Sequence, residues 1–138
     1  MNELTIASVM TPAPLAVSED DPLATARALM VRHRVHHLPV VSRDEVVGIL
    51  TDRDMYLVSY LANDLLNEDD LVAGDACVRH PYTCGPATPL ADALTEMATR
   101  RIGSALVVSN RHLVGIFTAH DACAHLARAL RQAESVMV

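Results

Sequence analysis

Two stretches of the sequence carry the same polar residues at the same spacing. They read Gly-Ile-Leu-Thr-Asp-Arg-Asp over residues 48–54 and Gly-Ile-Phe-Thr-Ala-His-Asp over residues 115–121. In each stretch a threonine stands three residues before an aspartate, and the two pairs are Thr51 with Asp54 and Thr118 with Asp121. Apolar residues precede both pairs, so each pair is expected where a buried strand ends and a helix begins.

This spacing has two chemical interpretations. At a helix start, a hydroxyl and a carboxylate three residues apart lie on one face of the first turn. Together they suit a ribose diol, because the hydroxyl donates or accepts and the carboxylate accepts, while the free amides of that turn suit a phosphate. Alternatively, Thr51 and Thr118 merely cap their helices, with Asp54 and Asp121 as the acids of a capping box. The spacing alone leaves both interpretations open.

Three histidines, His33, His36 and His37, lie close together between a helical pattern and an apolar run. Histidine is a common metal ligand, so a metal site is one interpretation of this cluster. However, neighbouring residues on a strand point to opposite faces, and no carboxylate or cysteine stands at a convincing ligand spacing. The other interpretation is that His33 simply stabilises the carboxyl end of a helix.

Composition excludes several classes of function. The net charge is −6 and aromatic residues make up 3%, which disfavours nucleic-acid binding. No apolar run is long enough to span a bilayer, and residues 1–8 lack the features of a signal peptide. There is no nucleophile elbow, catalytic triad pattern or glycine-rich phosphate loop, so we do not expect an enzyme. Cys77, Cys84 and Cys123 form no CxxC pair and are expected to be reduced core residues of a cytoplasmic protein.

The sequence is an internal duplication. Residues 5–54 align without a gap on residues 72–121, at an offset of 67, with 15 identities. Each copy begins with a short extended segment, followed by a helix with proline at its first position, two β-rich runs joined by a polar turn, and a second helix. The expected elements are Leu15–Val17, a helix from Pro22, Leu38–Val41, Val46–Leu50 and Met55–Leu66 in the first copy, and Tyr82–Cys84, a helix from Pro89, Ala105–Val108, Leu113–Phe117 and a helix to about Arg131 in the second.

One repeat of about 60 residues has a small core, so we expect the two to bury each other's sheet faces. The predicted fold class is mixed α/β (α+β): two β-α-β-β-α repeats related by a pseudo-twofold axis and sharing one core. Two equivalent clefts would then lie at the join. The predicted divisions are repeat 1 (5–66), an acidic linker (67–71), repeat 2 (72–131) and a C-terminal tail (132–138).

The chain resembles a tandem pair of CBS domains, the Bateman module, over roughly residues 5–130. The resemblance is carried by the two Gly-x-x-Thr-x-x-Asp copies, by Val35-His36-His37-Leu38-Pro39-Val40-Val41, and by Ser8-Val9-Met10-Thr11 near the start. It implies a regulatory module that binds AMP, ADP, ATP or S-adenosylmethionine between the repeats as a regulatory ligand. No cofactor is expected to be required. The alternatives are an interaction module with vestigial clefts, or a metal-responsive protein that uses the histidine cluster.

The resemblance also assigns the candidate residues to two unequal clefts. Cleft A combines Thr118 and Asp121 with His36 and His37, and cleft B combines Thr51 and Asp54 with Gly103 and Ser104. Tyr82, on an extended segment, and Arg53, which can reach a phosphate or simply face solvent, complete the set of ligand-binding candidates. Histidine charge leads us to expect the tighter nucleotide site in cleft A.

Association is the remaining expectation. Members of the family usually dimerise through helices beside the clefts, so we expect a homodimer as well as a separate regulated protein. The second helix of each repeat carries apolar residues that such a small monomer could not all cover. These residues are Met55, Leu57, Val58, Leu61, Leu126 and Leu130.

Overall fold

A computed structural model describes residues 3–62 and 68–136. The first half begins with a short 3-10 helix (Ile6–Ser8), and a second one (Glu68–Asp70) precedes the other half. The elements of the first half are β1 (Thr11–Pro12), β2 (Val17–Ser18), α1 (Leu23–His33), β3 (His37–Ser42), β4 (Glu45–Thr51) and α2 (Asp52–Ala62). The expected end of α2 at Leu66, and Asn67 at the start of the acidic linker, lie outside the described residues.

The second half repeats this order and adds a short helix before it. Its elements are α3 (Ala73–Ala76), β5 (Val78–Arg79), β6 (Thr83–Cys84), α4 (Leu90–Arg100), β7 (Ser104–Ser109), β8 (His112–Thr118) and α5 (Ala119–Val136). This order of elements confirms the mixed α+β fold with two β-α-β-β-α repeats.

Among the described residues no helix is both long and apolar enough to cross a membrane.

Two helix boundaries differ from the sequence-based expectation. Pro22 and Pro89 are the residues before α1 and α4 rather than their first residues, and both have extended ψ angles near 140° and 134°. Helix α5 continues to Val136, past the end expected near Arg131. The last turns of α5 are exposed, so no change in burial marks the end of this helix.

Each repeat contributes a tight hairpin. Strands β3 and β4 pair antiparallel, and so do β7 and β8, while β2 and β6 add parallel strands outside them. The two-residue turns at 43–44 and 110–111 have all four residues at positive φ, between 51° and 70°. Turns of this kind match the right-handed twist of the flanking strands.

The two halves exchange their first strands. Strand β1 of the first repeat pairs with β8 of the second, with Thr11 opposite Ile116. Strand β5 of the second repeat pairs with β4 of the first, with Val78 opposite Ile49. Strands β4 and β8 also meet directly where Glu45 stands opposite His112. A single sheet of eight strands therefore runs through both repeats.

The segments before the exchanged strands also bind to the other repeat. The amide of Leu90, at the start of α4, donates to the carbonyl of Leu4 at 2.8 Å. In the same way the amide of Leu23, at the start of α1, donates to the carbonyl of Leu71 at 2.9 Å. Each repeat therefore holds the first helix of the other.

Buried apolar side chains form three clusters rather than one continuous core. One lies under the first repeat, around Leu38, and one under the second, around Phe117. The third joins the repeats and contains Ile49, Leu106 and Ile116, with Val46 and Leu113 at its edge. The two repeats thus share an apolar contact between their sheets, as expected, and each also has a cluster of its own beneath its helices.

Some residues expected on the dimer face belong to this core. Met55 is only 4% exposed, and Val58 packs against the cluster of the first repeat. These two residues pack on the core of the first repeat and are the part of the apolar set that the monomer itself covers. The apolar residues of the predicted face that are exposed are Leu57, Leu61, Leu126 and Leu130.

The cysteines also differ among themselves. Cys77 and Cys84 are half-buried and pack against the clusters of the first and second repeat, where burial raises the pKa of both thiols. Cys123 is exposed on α5, so the prediction of a core position was wrong for this residue. Its place on the outer side of an amphipathic helix explains the difference.

Candidate functional site

Both threonine–aspartate pairs sit where a strand passes into a helix. The amide of Thr118 donates to Oδ2 of Asp121 at 2.9 Å, and the amide of Asp121 donates to the Thr118 hydroxyl at 3.2 Å. Thr51 and Asp54 form the same two bonds at 2.9 and 3.2 Å, and the Thr51 hydroxyl also lies 2.9 Å from Oδ2 of Asp54. Each pair is therefore a capping box at the start of α2 or α5.

Capping leaves part of each aspartate unused. Every bond that these two carboxylates accept ends on Oδ2, and within residues 3–62 and 68–136 no hydrogen bond reaches Oδ1 of Asp54 or Asp121. A carboxylate has acceptor positions on both oxygens. The cap fixes the orientation of each carboxylate, and its second oxygen can accept a bond from a ligand hydroxyl without the helix losing its cap.

His37 lies at the join of the two repeats. A Cβ added to Gly103 would stand only 2.9 Å from Nε2 of His37, so the imidazole occupies the space beside this glycine. Gly103 in turn accepts a hydrogen bond from the amide of Ala119, the first residue of α5, at 2.9 Å. His37 thus contacts the segment that holds the start of the helix bearing Asp121.

Several charges surround the His37 ring. Burial, the largest effect, lowers the pKa of His37, and neighbouring His36 lowers it further. The carboxylates of Asp52, Asp121 and Asp54 act in the opposite direction but do not compensate for burial. The carboxylate of the cleft A candidate Asp121 therefore acts on His37, and burial favours the uncharged form of the His37 ring.

His36 has a different partner. Its Nδ1 lies 2.9 Å from Oδ2 of Asp52, and both side chains are largely exposed, at 72% and 65%. The other oxygen of Asp52 accepts a hydrogen bond from the amide of Arg53 at 2.9 Å. The sequence reasoning overlooked Asp52. The signal that could have identified it is a difference between the repeats, since Ala119 occupies the equivalent position in the second one.

The remaining candidates are placed less centrally. Ser104 is buried at the start of β7, opposite Thr118 in the hairpin. Arg53 is exposed on the first turn of α2. Tyr82 packs against the cluster of the second repeat, and the guanidinium of Arg100 lies 5.0 Å from the centre of its ring. These contacts do not connect Tyr82 to either threonine–aspartate pair.

Two concave surfaces lie on the first repeat and at its crossing with the second, and neither is lined by a threonine–aspartate pair or by His37. A groove of about 570 Å³ lies between α1 and α2 and includes His36, Asp52 and Tyr56 in its lining. A smaller cavity of about 390 Å³ is lined by Val46, Val47, Arg79, His80, Pro81 and Thr83, where the exchanged segment of the second repeat crosses the first. Sequence reasoning missed Arg79 and His80, because the crossing that brings them to β4 is not visible in a local pattern.

The histidine cluster does not form a recognisable metal site. Among the residues that the structure describes, no group of three or more histidine, cysteine, aspartate or glutamate side chains is placed to hold a metal ion. His36 instead pairs with a single carboxylate, and His37 turns towards Gly103. The alternative that uses His33, His36 and His37 as ligands therefore has no support from the geometry.

Comparison with known proteins agrees with this architecture. The family model of the CBS domain matches residues 6–59 and 73–128. The chain is 34% identical over 111 residues to inosine-5'-monophosphate dehydrogenase of Korarchaeum cryptofilum, a match that covers 78% of the chain but 21% of the dehydrogenase. It thus spans about a fifth of that relative's length. Hypoxic response protein 1 of Mycobacterium tuberculosis is 28% identical over 123 residues, covering 88% of the chain and 85% of that protein.

Solved structures of similar fold include complexes. The CBS domain pair of protein MJ0100, with 5'-methylthioadenosine and S-adenosyl-L-methionine, has a TM-score of 0.81 at 20% identity and covers 93% of this chain and 99% of that one. CBSX2 in complex with AMP has a TM-score of 0.77 at 25% identity, covering 94% and 98%. Hypoxic Response Protein I with two coordinated zinc ions has a TM-score of 0.77 at 27% identity, covering 88% and 98%.

Two family-model matches account for most of the chain, and the exchanged strands and paired hairpins recur in both halves. The chain belongs to the CBS domain family and contains a pair of CBS domains.

Proposed function

We propose that this protein is a regulatory module that binds an adenosine derivative in clefts between its two CBS domains and thereby alters the activity of a partner protein. The observation that carries the proposal is the free Oδ1 of Asp54 and of Asp121, each held in place by a helix cap. CBSX2, 25% identical to this chain, binds AMP. The chain would act in the cytoplasm, in keeping with its separate cysteines, and its role requires no catalytic cofactor.

In this proposal the ribose hydroxyls donate to Oδ1 of the aspartate in each cleft. Thr118 and Asp121 hold the ribose in cleft A, with the 5' substituent directed towards His36 and His37. Cleft B pairs Thr51 and Asp54 in the same way with uncharged Gly103 and Ser104, and Arg53 is the nearby cation. Tyr82, on the segment after β5, is proposed to lie beside the base.

Calorimetric titration with adenosine tests the ribose assignment. Asp121→Ala and Asp54→Ala each remove one ribose acceptor, and we expect a loss of about tenfold in affinity at the altered cleft, because a ribose hydroxyl loses its partner. Both substitutions also remove a helix cap. Asp75→Ala is the matched control, since Asp75 caps α3 through the amide of Val72 and lies outside both motifs.

A thermal-shift screen gives an independent measurement. A ligand that binds only the folded state raises the melting temperature, so adenosine derivatives should stabilise the wild type and the Asp75→Ala variant. If no adenosine derivative shifts the melting temperature or releases heat, the ligand-binding proposal is wrong. The clefts would then be vestigial, as the alternative of a purely structural or interaction module requires.

We further propose a homodimer formed through the second helix of each repeat. Leu57 and Leu126 are 51% and 61% exposed, and each stands with a second exposed leucine one turn further along, at Leu61 and Leu130. Burying such residues is favourable by about 25 cal/mol per Å² of apolar surface. Sedimentation should show a dimer at about 10 µM, a concentration typical of modest protein contacts. Leu57→Glu with Leu126→Glu should give a folded monomer, and a monomeric wild type would contradict the proposal.

A further inference from the structure

The two repeats differ in charge at the open end of their hairpins, where the first strand begins and the second strand ends. In the first repeat His36 and Asp52 face each other at 2.9 Å, directly before β3 and after β4. The equivalent residues of the second repeat are Gly103 and Ala119, which have no polar side chain. The backbone bond beneath is kept in both, since the amide of Asp52 donates to the His36 carbonyl at 3.2 Å and that of Ala119 to the Gly103 carbonyl at 2.9 Å. The side-chain pair is therefore present in the first repeat and absent from the equivalent positions of the second.

Asp52 changes the charge available to a ligand in cleft A. Asp52 raises the pKa of His37 more than Asp121 and Asp54 do. Nδ1 of His36 is engaged by Asp52, which leaves Nε2 as the nitrogen that can donate to a ligand anion. A ligand group directed at these two histidines therefore also meets the Asp52 carboxylate.

We infer that Asp52 is a specificity-determining residue of cleft A, which selects an adenosine derivative with an uncharged or cationic 5' substituent, such as a thioether or sulfonium group, over a 5' phosphate. This inference rests on the function proposed above and reverses the sequence-based expectation that histidine charge makes cleft A the tighter nucleotide site. A phosphate that accepts a bond from His36 also approaches the Asp52 carboxylate, and like charges repel at short range. A thioether or sulfonium group meets no such repulsion, and a sulfonium group is attracted by the same carboxylate.

Several other cations lie near the motifs. Arg53 follows Asp52 on α2 and belongs to the motif of cleft B, where it can serve a phosphate. The equivalent residue beside cleft A is His120, on the exposed first turn of α5. Arg79 is bound to Glu19 at 3.1 Å and to the Gly74 carbonyl at 3.2 Å. Arg34 lies beside His36 in the groove that Asp52 also lines, and this arginine is kept in every variant of the test below.

The test compares 5'-methylthioadenosine with AMP by calorimetric titration at low salt. Both probes carry the same base and ribose, so their ratio of affinities isolates the 5' group. The titrations use Asp54→Ala as the common background, which weakens cleft B. Asp52→Asn then removes the charge but keeps an oxygen for the amide of Arg53. Asp44→Asn is the matched control, because Asp44 lies in the turn at the far end of the β3–β4 hairpin.

We expect 5'-methylthioadenosine to bind more tightly than AMP in the background protein. Asp52→Asn should tighten AMP binding by about two- to fivefold, the range for an exposed charge pair, and leave 5'-methylthioadenosine unchanged. Asp44→Asn should change neither. The difference should also shrink when the salt concentration is raised, because the charges concerned are exposed.

Two results overturn the inference alone: tighter binding of AMP than of 5'-methylthioadenosine in the background protein, or an affinity ratio that Asp52→Asn leaves unchanged. If AMP, 5'-methylthioadenosine and adenosine all fail to bind the wild type and every variant, the proposed function is wrong, and this inference falls with it. Circular dichroism of each variant confirms that the fold is kept, so a loss of structure is not taken for a loss of affinity.

Discussion

Gly48 and Gly115 occupy equivalent positions in the two repeats, and at each of them the exchanged segment of the other repeat comes close. We expect replacement by alanine to lower the stability more at Gly48 than at Gly115. Strand β5 passes over β4 at Gly48, and the segment before β1 passes over β8 at Gly115. A Cβ at Gly48 would stand 2.6 Å from Sγ of Cys77 and 2.9 Å from the carbonyl oxygen of Val78. At Gly115 the nearest atoms all belong to the side chain of Met10. One obstacle is backbone, and the other is a flexible thioether chain.

These contacts give the expected sizes of the effects. Overpacking by one methyl group costs about 1–3 kcal/mol. Replacing glycine by alanine returns about 0.4–1 kcal/mol, because the unfolded chain loses freedom, and no glycine here has a positive φ that would add strain. We therefore expect Gly48→Ala to lower the free energy of unfolding by about 1–2 kcal/mol. Gly115→Ala should lower it by less than about 1 kcal/mol, since Met10 can adopt another rotamer.

Thermal and urea unfolding measure this difference. A chain of this length loses about 3–5 °C in melting temperature per kcal/mol, so Gly48→Ala should melt several degrees below the wild type. Gly85→Ala is the control, because a Cβ there meets nothing within 4 Å, and it should be neutral or slightly stabilising. If Gly48→Ala is as stable as Gly85→Ala, or if Gly115→Ala is the more damaging change, then the close passage of β5 over β4 does not constrain residue 48.

Other predictions concern the site. Burial lowers the pKa of His37 below its ordinary value of about 6.5, so the unfolded chain binds this proton more readily and stability falls as the pH drops below about 6.5. When the free energy of unfolding is measured from pH 7.5 to 5, His37→Gln should reduce this loss of stability, and replacement of the exposed His33 by glutamine should not. If the free energy falls with pH equally in the wild type and in His37→Gln, the role of His37 is refuted. Thr118→Ala removes the hydroxyl that caps α5 and should lower the free energy of unfolding by about 0.5–2 kcal/mol in urea titration, while Thr118→Ser should keep most of it. An unchanged Thr118→Ala variant would show that the cap contributes nothing.

Much of the fold could be predicted because its signals are local and occur twice. Apolar spacing and polar turns predict the hairpins, and the structure places β3, β4, β7 and β8 within one or two residues of the expected runs. The exchange of β1 and β5 could not be predicted in this way. Strands of two residues carry no measurable alternation, and their partners lie in the other repeat, about a hundred residues away in the case of β1.

The candidate site could also be predicted only in part. The offset of the repeats identified Thr51, Asp54, Thr118 and Asp121, and the capping bonds in the structure follow from the same spacing that suggested them. What the sequence could not provide was the charge state around the histidines. The bond between His36 and Asp52 and the burial of His37 depend on how β3 meets β4, which is a tertiary arrangement.

The exchange of first strands also bears on how such a molecule arises. A single repeat of this kind has a place on its sheet for a strand that its own chain does not supply. Two identical copies would supply it to each other, each copy giving its first strand and receiving one in return. A gene duplication that joins the copies keeps every one of these pairings and makes an intermolecular exchange intramolecular. The two halves are then free to diverge, as they have at His36 and Asp52, while the paired strands continue to require both.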